Sequence, residues 1–283
     1  MRINPIGNAQ FVADIEDVDL QAISSGDFEK IYQAWLQFGV IRIRNQSFRR
    51  KRHCSSAPFR SVGGNTLRAH VGNKTERKFQ HLRDGYLNIR INGKAIGGLG
   101  NAEASWHSDM TYVDTPPPAS VLLGIEIPPV GGDTYFADQA AAYAALPESL
   151  RQRISELSIK HDAAHTSIGS LRPGYEPFDD PRDAPGSIHP IIRTHEETGK
   201  QALYLGRREW AYIPGLSLSD SEALLDELWS YAALTSNVWQ QTWQPNDLIV
   251  WDNRRVLHRR DDFDNNTRRL MKRCQVLARA TDG

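Results

Sequence analysis

The stretch from Ser120 to Ile127 is almost wholly apolar and stands between the rigid Pro116-Pro117-Pro118 and the turn-forming pair Gly131-Gly132. A short apolar run bounded in this way reads as a strand buried on both faces. Shorter β-prone runs recur along the chain: Val40 to Arg44, Thr134 to Ala137, Pro190 to Thr194 with Gln201 to Leu205, Asp247 to Trp251, and Leu270 to Ala278. Helical signals are fewer. Asp27 to Phe38 sets Phe28, Ile31, Tyr32, Trp35 and Leu36 at helical spacing and stops at Gly39, a C-cap residue. Gln139 to Ala145, a run from Pro147 through Leu157, and a capping box at Ser219-Asp220-Ser221-Glu222 mark three more helices. Many short strands with few peripheral helices argue for a mainly β fold with flanking helices, a sandwich or jelly roll, over a regular βαβ alternation.

The stretch 166–190 holds five prolines and little periodicity, so it is expected to be a long loop, a candidate lid within one domain spanning 1–283. No repeat is visible. Across 283 residues, 34 basic side chains balance 34 acidic ones, which argues against a polycation for nucleic acid or an anionic membrane face. No apolar run approaches the roughly 18 residues of a membrane helix, and the N-terminus lacks a secretory signal's apolar stretch, so the cytoplasm is expected. Cys54 and Cys274 lie far apart without metal-knuckle spacing and are expected to be reduced thiols with no catalytic role.

Three arrangements of His with acidic residues compete. His161-Asp162-Ala163-Ala164-His165 imitates a zinc-protease helix, but Asp162 is one methylene short of the general base and no third ligand motif follows. His195-Glu196-Glu197 is expected to be a solvated hairpin turn next to Gly199. His107-Ser108-Asp109 follows Trp106 in a β-prone context, and on a strand residues i and i+2 share a face, so both side chains can reach one ion. A divalent iron needs one more protein ligand to leave three open positions. His258, downstream of Leu248-Ile249-Val250-Trp251, can supply it.

Positions 269, 271 and 273 share a strand face, which would turn the guanidinium groups of Arg269 and Arg273 toward one interior. Enclosing them without anionic partners costs several kcal/mol, and a small dianion would supply the partner. Thr134 could donate a hydroxyl to the same carboxylate. Arg259, Arg260 and Arg268 are expected at the surface.

Together Trp106-His107-Ser108-Asp109, Gly131-Gly132-Asp133-Thr134, Trp251-Asp252-Asn253 through His258, and Arg269 with Arg273 resemble the taurine and 2,4-dichlorophenoxyacetate dioxygenase family of iron(II)- and 2-oxoglutarate-dependent oxygenases. Thr134 lies 25 residues after Asp109, and Arg269 and Arg273 lie 11 and 15 after His258, spacings that fit the family. The likeness covers most of 85–280 and is closer to the aryloxyalkanoate branch. It implies a double-stranded β-helix (jelly roll), with iron(II) held by His107, Asp109 and His258 and 2-oxoglutarate gripped at its far carboxylate by Arg269 and Thr134. It further implies that Arg273 anchors either the cosubstrate's other carboxylate or the substrate's anionic group. Dioxygen would take the remaining metal position, and a small anionic substrate such as an aryloxyalkanoate or sulfonate would be hydroxylated, with possible cleavage, as succinate and carbon dioxide leave. His70 lies near the family's substrate-facing His. Between Ser47 and Thr66 the pattern departs: Arg49-Arg50-Lys51-Arg52-His53-Cys54 stands where the family carries a helix. The rivals are a non-catalytic jelly-roll binding protein and a zinc hydrolase using His161 and His165. No nucleic-acid or membrane partner is expected, and a homo-oligomer is left open.

Overall fold

The computed structural model describes residues 1–46 and 101–277, together with the backbone of short strands between 59 and 95. Most of the atypical stretch 47–66, and His70, lie outside the described residues. The strands of the two principal sheets are β1 (Arg2–Ile6), β2 (Ala9–Glu16), β3 (Val40–Ile43), β4 (His81–Leu87), β5 (Ala104–His107), β6 (Ala119–Glu126), β7 (Thr134–Asp138), β8 (Val238–Gln241), β9 (Leu248–Asp252), β10 (Val256–Arg260) and β11 (Leu270–Leu277). The larger sheet runs β1-β2-β3-β9-β6-β11-β4 and the smaller β8-β7-β10-β5. Every neighbouring pair in them is antiparallel except β2 with β3, which are parallel and are joined through the helix α1 (Ser25–Phe38).

The period-2 pattern of the strands assigns their faces. Along β9, Leu248 and Val250 pack with α1 on the outer face of the larger sheet, while Ile249 and Trp251 turn inward. Inside they meet Phe136 of β7, Trp239 of β8 and Val256 of β10, so the two sheets face each other across a shared apolar layer. β6 lies between β9 and β11 and is buried on both faces, as its sequence demands.

α1 begins at the N-cap Ser24, whose side chain accepts from the Asp27 amide, and ends at Gly39 with φ 87°, whose amide donates to the Trp35 carbonyl. It buries Phe28, Ile31, Tyr32, Trp35 and Leu36. Fully burying one such side chain is worth about 1.5–3 kcal/mol, which is how an amphipathic stripe holds a helix of this length on the sheet. On the other flank, α2 (Gln139–Ala145), α3 (Glu148–Ile154) and α4 (Leu218–Ala232) enclose a second apolar cluster. The cap of α4 is Ser217, two residues before the expected box: its hydroxyl accepts from the Asp220 amide at 3.1 Å. The hairpin Ile192–Thr194 with Gln201–Leu203 forms as expected. Among the described residues, no helix is long and apolar enough to cross a membrane.

Candidate metal centre

Two strand ends and one turn bring the three candidate ligands together. β5 pairs with β10 so that His107 lies directly opposite His258, and their rings stand 4.1 Å apart between centroids. Asp109 is not on the strand. β5 ends at His107, and Ser108 leads into a turn in which Met110 takes the left-handed conformation, with φ 52°. This corrects the expectation that Asp109 would share a strand face with His107: the turn delivers the carboxylate instead. The turn is tied down at Ser108, whose amide donates to the Gly206 carbonyl at 3.0 Å and whose hydroxyl donates to the Asn253 carbonyl at 2.7 Å.

The result is a cluster in which one ligand atom from each of His107, Asp109 and His258 lies within 4.8 Å of the others. Asp109 Oδ1 is 3.8 Å from His107 Nε2 and 3.6 Å from His258 Nε2. Nδ1 of His107 lies 2.7 Å from the Ser105 carbonyl, to which it donates, so the lone pair of its neutral ring resides on Nε2, aimed at the cluster. Burial pushes both imidazoles below the ordinary His range, and His107 adds to the effect on His258, so both rings are uncharged donors at neutral pH. Burial would raise Asp109, but the Arg273 guanidinium paired with it outweighs this and holds the carboxyl well below the usual carboxylate range. Two neutral imidazoles and one ionised carboxylate on one side of a common point suit a borderline divalent ion such as iron(II) and leave its other positions open.

The second carboxylate oxygen is held from behind. Ser120 of β6 donates to Asp109 Oδ2 at 2.6 Å, and Asn253 Nδ2 donates to the Ser120 hydroxyl at 3.0 Å. Arg273 forms an ion pair with the same oxygen. Oδ1 is thereby the oxygen left toward the two Nε2 atoms. Outer partners of this kind are worth about 10–100-fold in metal affinity. Ser120→Ala is therefore expected to weaken iron(II) or manganese(II) binding by about that range while the far-ultraviolet circular dichroism stays unchanged, checked by metal titration of the purified variant. The roles of Ser120 and Asn253 were missed in the sequence, since they depend on the register that sets Ser120 opposite Trp251.

A second polar group lies along the inner side of the smaller sheet. Thr134 is buried and its Oγ1 accepts from Trp243 Nε1 at 2.9 Å. Arg269 precedes β11 and donates from Nε to the Gly132 carbonyl at 3.1 Å. Gly132 has φ 72°, and a Cβ there would stand 2.9 Å from Arg269 Nε, so the glycine is what admits the guanidinium. Arg269 and Arg273 thus serve different neighbours, Gly132 and Asp109. Arg268 is exposed and Arg259 partly so, as expected, but Arg260 is not at the surface: it is 6% exposed and donates to the Ala102 carbonyl.

Among the described residues, the other histidines do not join the cluster. His195 is buried, against the expectation of a solvated turn. Its Nε2 stands 2.8 Å from Asp252 Oδ2, its Nδ1 accepts from the Glu197 and Thr198 amides, and Arg254 bridges Asp252 to Glu197. His165 stacks on Trp210 and contacts Asp162, while His161 points away into a group with His189 and Tyr204. Among the described residues, His161 and His165 therefore form no metal-ligand set, which removes the zinc-hydrolase arrangement.

Burial, with His189 and Arg207 adding to it, pushes His161 down to about 3 from an ordinary value of 6.5. The unfolded chain binds a proton at this ring below pH 6.5 while the folded one does not until about pH 3, so stability is lost as pH falls through that window. The slope for one such proton is about 1.4 kcal/mol per pH unit. His161→Leu is expected to make the melting temperature of the metal-free protein less sensitive to acid between pH 6.5 and 4 by about one proton, measured by thermal melts across that range.

The loop that begins at Thr166 is tied to both sides of the cluster. The Ser105 amide donates to the Ser167 carbonyl at 2.9 Å, the Ser187 amide to the Tyr112 carbonyl at 3.1 Å, and the Arg172 guanidinium lies over the Tyr112 ring at 4.6 Å. It closes in the strand Ile188–Pro190, which pairs with Ser158–Lys160.

The model of the taurine catabolism dioxygenase TauD, TfdA family matches residues 2–275. The chain is 31% identical over 284 residues to the α-ketoglutarate-dependent 2,4-dichlorophenoxyacetate dioxygenase of Cupriavidus pinatubonensis, covering 97% of this chain and 96% of that one. It is 29% identical over 276 residues to the (S)-phenoxypropionate/α-ketoglutarate dioxygenase of Sphingobium herbicidovorans, covering 95% of this chain and 92% of that one. Among solved structures, AAD-2 in complex with Mn(II) and N-oxalylglycine superimposes with a TM-score of 0.76 at 25% identity, covering 99% of each chain.

Proposed function

The chain belongs to the taurine catabolism dioxygenase TauD, TfdA family and is a 2-oxoglutarate-dependent dioxygenase; from that premise we propose that it hydroxylates a small aryloxyalkanoate-like anion at an iron(II) centre held by His107, Asp109 and His258. The observation that carries this is the convergence of those three ligand atoms within 4.8 Å of one another, two neutral imidazoles beside an ionised carboxylate. We infer too that the two facing sheets are the halves of a double-stranded β-helix (jelly roll), one domain over 1–283, working in the cytoplasm.

When bound, iron(II) with 2-oxoglutarate and dioxygen supplies the oxidising power, and the cosubstrate leaves as succinate and carbon dioxide. The residues of the chain do the rest. His107 presents Nε2 because Ser105 fixes its other nitrogen. Ser120 and Arg273 hold Asp109 by one oxygen so that the other faces inward. Trp251, with its ring 4.8 Å from that of His258, and Phe136 keep water from the inner side of the site. Thr134 accepts from Trp243, so its own hydroxyl proton is directed to a different acceptor, the far carboxylate of 2-oxoglutarate. Arg269 meets that carboxylate with a charged hydrogen bond. Arg273, already beside the metal-binding carboxylate, steadies the anionic group that lies nearest the centre, and His70 is the substrate contact that the family resemblance suggests. The loop 166–190 acts as the lid, fastened to the ligand-bearing segment by Ser105 and Tyr112.

Support for an aryloxyalkanoate comes from the two relatives above, named for phenoxypropionate and 2,4-dichlorophenoxyacetate. Hydroxylation of the carbon beside an ether oxygen gives a hemiacetal, which breaks to a phenol and a carbonyl compound. Substrate-dependent oxygen uptake across phenoxyacetates, phenoxypropionates, alkyl sulfates and alkylsulfonates tests the assignment. Phenol release matched by succinate is expected with the aryloxy acids; uptake with a sulfate ester or a sulfonate alone would move the substrate class.

A further inference from the structure

Arg260 stands two residues beyond His258 on β10, and alternate residues of a strand share a face, so its side chain leaves the strand on the side that bears the metal cluster. Across the sheet its partner is Thr134 of β7, as Phe136 is the partner of His258. Directly opposed residues have Cβ atoms about 4.5–5.5 Å apart. Arg260 and Arg269 lie against the same Phe263 ring, at 5.5 and 6.0 Å from its centroid. Thr134, Arg260 and Arg269 therefore border one enclosed place. The two-residue step from His258 to Arg260 covers about 6.6 Å of strand, comparable with the roughly 5 Å zigzag of a five-carbon chain with bonds of about 1.5 Å.

The guanidinium of Arg260 is underused by the fold. It is 94% buried by its 6% exposure, and its contact with the Ala102 carbonyl engages Nη2 alone. Nε and Nη1 are enclosed and have no hydrogen-bond partner among the described residues. Arg269 is 3% exposed, and burial together with Arg260 pushes it down to about 9, opposed by Asp133. Two enclosed cations that disfavour each other call for an anion between them.

We propose that Arg260 is a second guanidinium for the far carboxylate of 2-oxoglutarate, acting with Arg269 and Thr134, and that this paired charge makes the pocket selective for a dicarboxylic over a monocarboxylic 2-oxo acid. The inference rests on the cosubstrate pocket proposed above. It assigns Arg260 a binding role that its place in an arginine run conceals.

The test is Arg260→Met, with 2-oxoglutarate and 2-oxobutyrate titrated calorimetrically into the manganese(II)-loaded protein and melting temperatures measured with and without each acid. A rise of at least tenfold in the Kd for 2-oxoglutarate is expected. The preference for it over 2-oxobutyrate should narrow by a similar factor, and the ligand-free melting temperature should be unchanged or raised. An unchanged Kd and preference, with a lowered ligand-free melting temperature, would show that Arg260 only braces Ala102 and overturn the proposal. Arg260→Gln keeps an N–H for that carbonyl without the charge, so it answers the same question if the methionine variant does not fold: a raised Kd supports the role and an unchanged one refutes it. Failure of the unaltered protein to bind 2-oxoglutarate at all would instead refute the pocket itself.

Discussion

Replacing His107 with alanine is expected to abolish succinate formation from 2-oxoglutarate while the protein stays folded. Among the described residues, His107, Asp109 and His258 form the one group whose ligand atoms converge. Removing one leaves two donors, and the loss should exceed the roughly 100-fold that attends the loss of a mere supporting partner. The fold should tolerate the change because His107 ends the edge strand β5, and the imidazole's hydrogen bond to the protein is to the Ser105 carbonyl of its own strand, its other neighbours being the ligand candidates His258 and Asp109. Succinate assayed under saturating iron(II) and 2-oxoglutarate, with bound metal and circular dichroism recorded on the same sample, measures both halves. Retained turnover would remove His107 from the ligand set.

The second large effect falls on the cosubstrate. Arg269→Ala is expected to raise the 2-oxoglutarate requirement roughly 10- to 150-fold, the equivalent of about 1.5–3 kcal/mol for a charged hydrogen bond. The aryloxy substrate's own KM should move far less, since Arg269 sits beside Gly132 and Phe263, while Arg273 is the arginine at Asp109. Initial rates with each substrate varied in turn separate the two. An unchanged 2-oxoglutarate requirement would reassign the far carboxylate to other groups. Arg260 is the neighbour best placed to take it, and Arg260→Met measured alongside shows how the two guanidinium groups share the load.

How much of this could be read from the chain alone differs from residue to residue. α1 was legible at both ends, because its apolar spacing and Gly39 are local signals. The strands at 40–43, 119–126 and 248–252 were legible for the same reason. His258 was legible because it follows the strand signal of Leu248 to Trp251, and His107 because it stands after Trp106 in a β-prone context; the fold places the two opposite each other. Asp109 was expected beside His107 on a strand but lies on the turn that follows it, since nothing in Ser108-Asp109-Met110 announces a left-handed methionine. Ser120 and Asn253 were hidden because their roles arise from contacts between distant segments: Asn253 reaches Ser120 across 133 positions. His195 looked exposed beside Glu196 and Glu197, yet Asp252, Arg254 and Tyr32 turn that hairpin inward through a chain of ion pairs and hydrogen bonds. Arg260 was hidden in a different way. The period-2 pattern of Val256 to Arg260 does predict that Arg260 follows His258 inward, but two adjacent arginines look like a solvated run.

If His107, Asp109 and His258 bind iron(II) so that 2-oxoglutarate can join it, adding both to the protein without oxygen should be visible in its absorption spectrum. A weak charge-transfer band that needs both additions, and that is absent from His107→Ala, is the expected result. No band with the unaltered protein, or the same band in the variant, would contradict it.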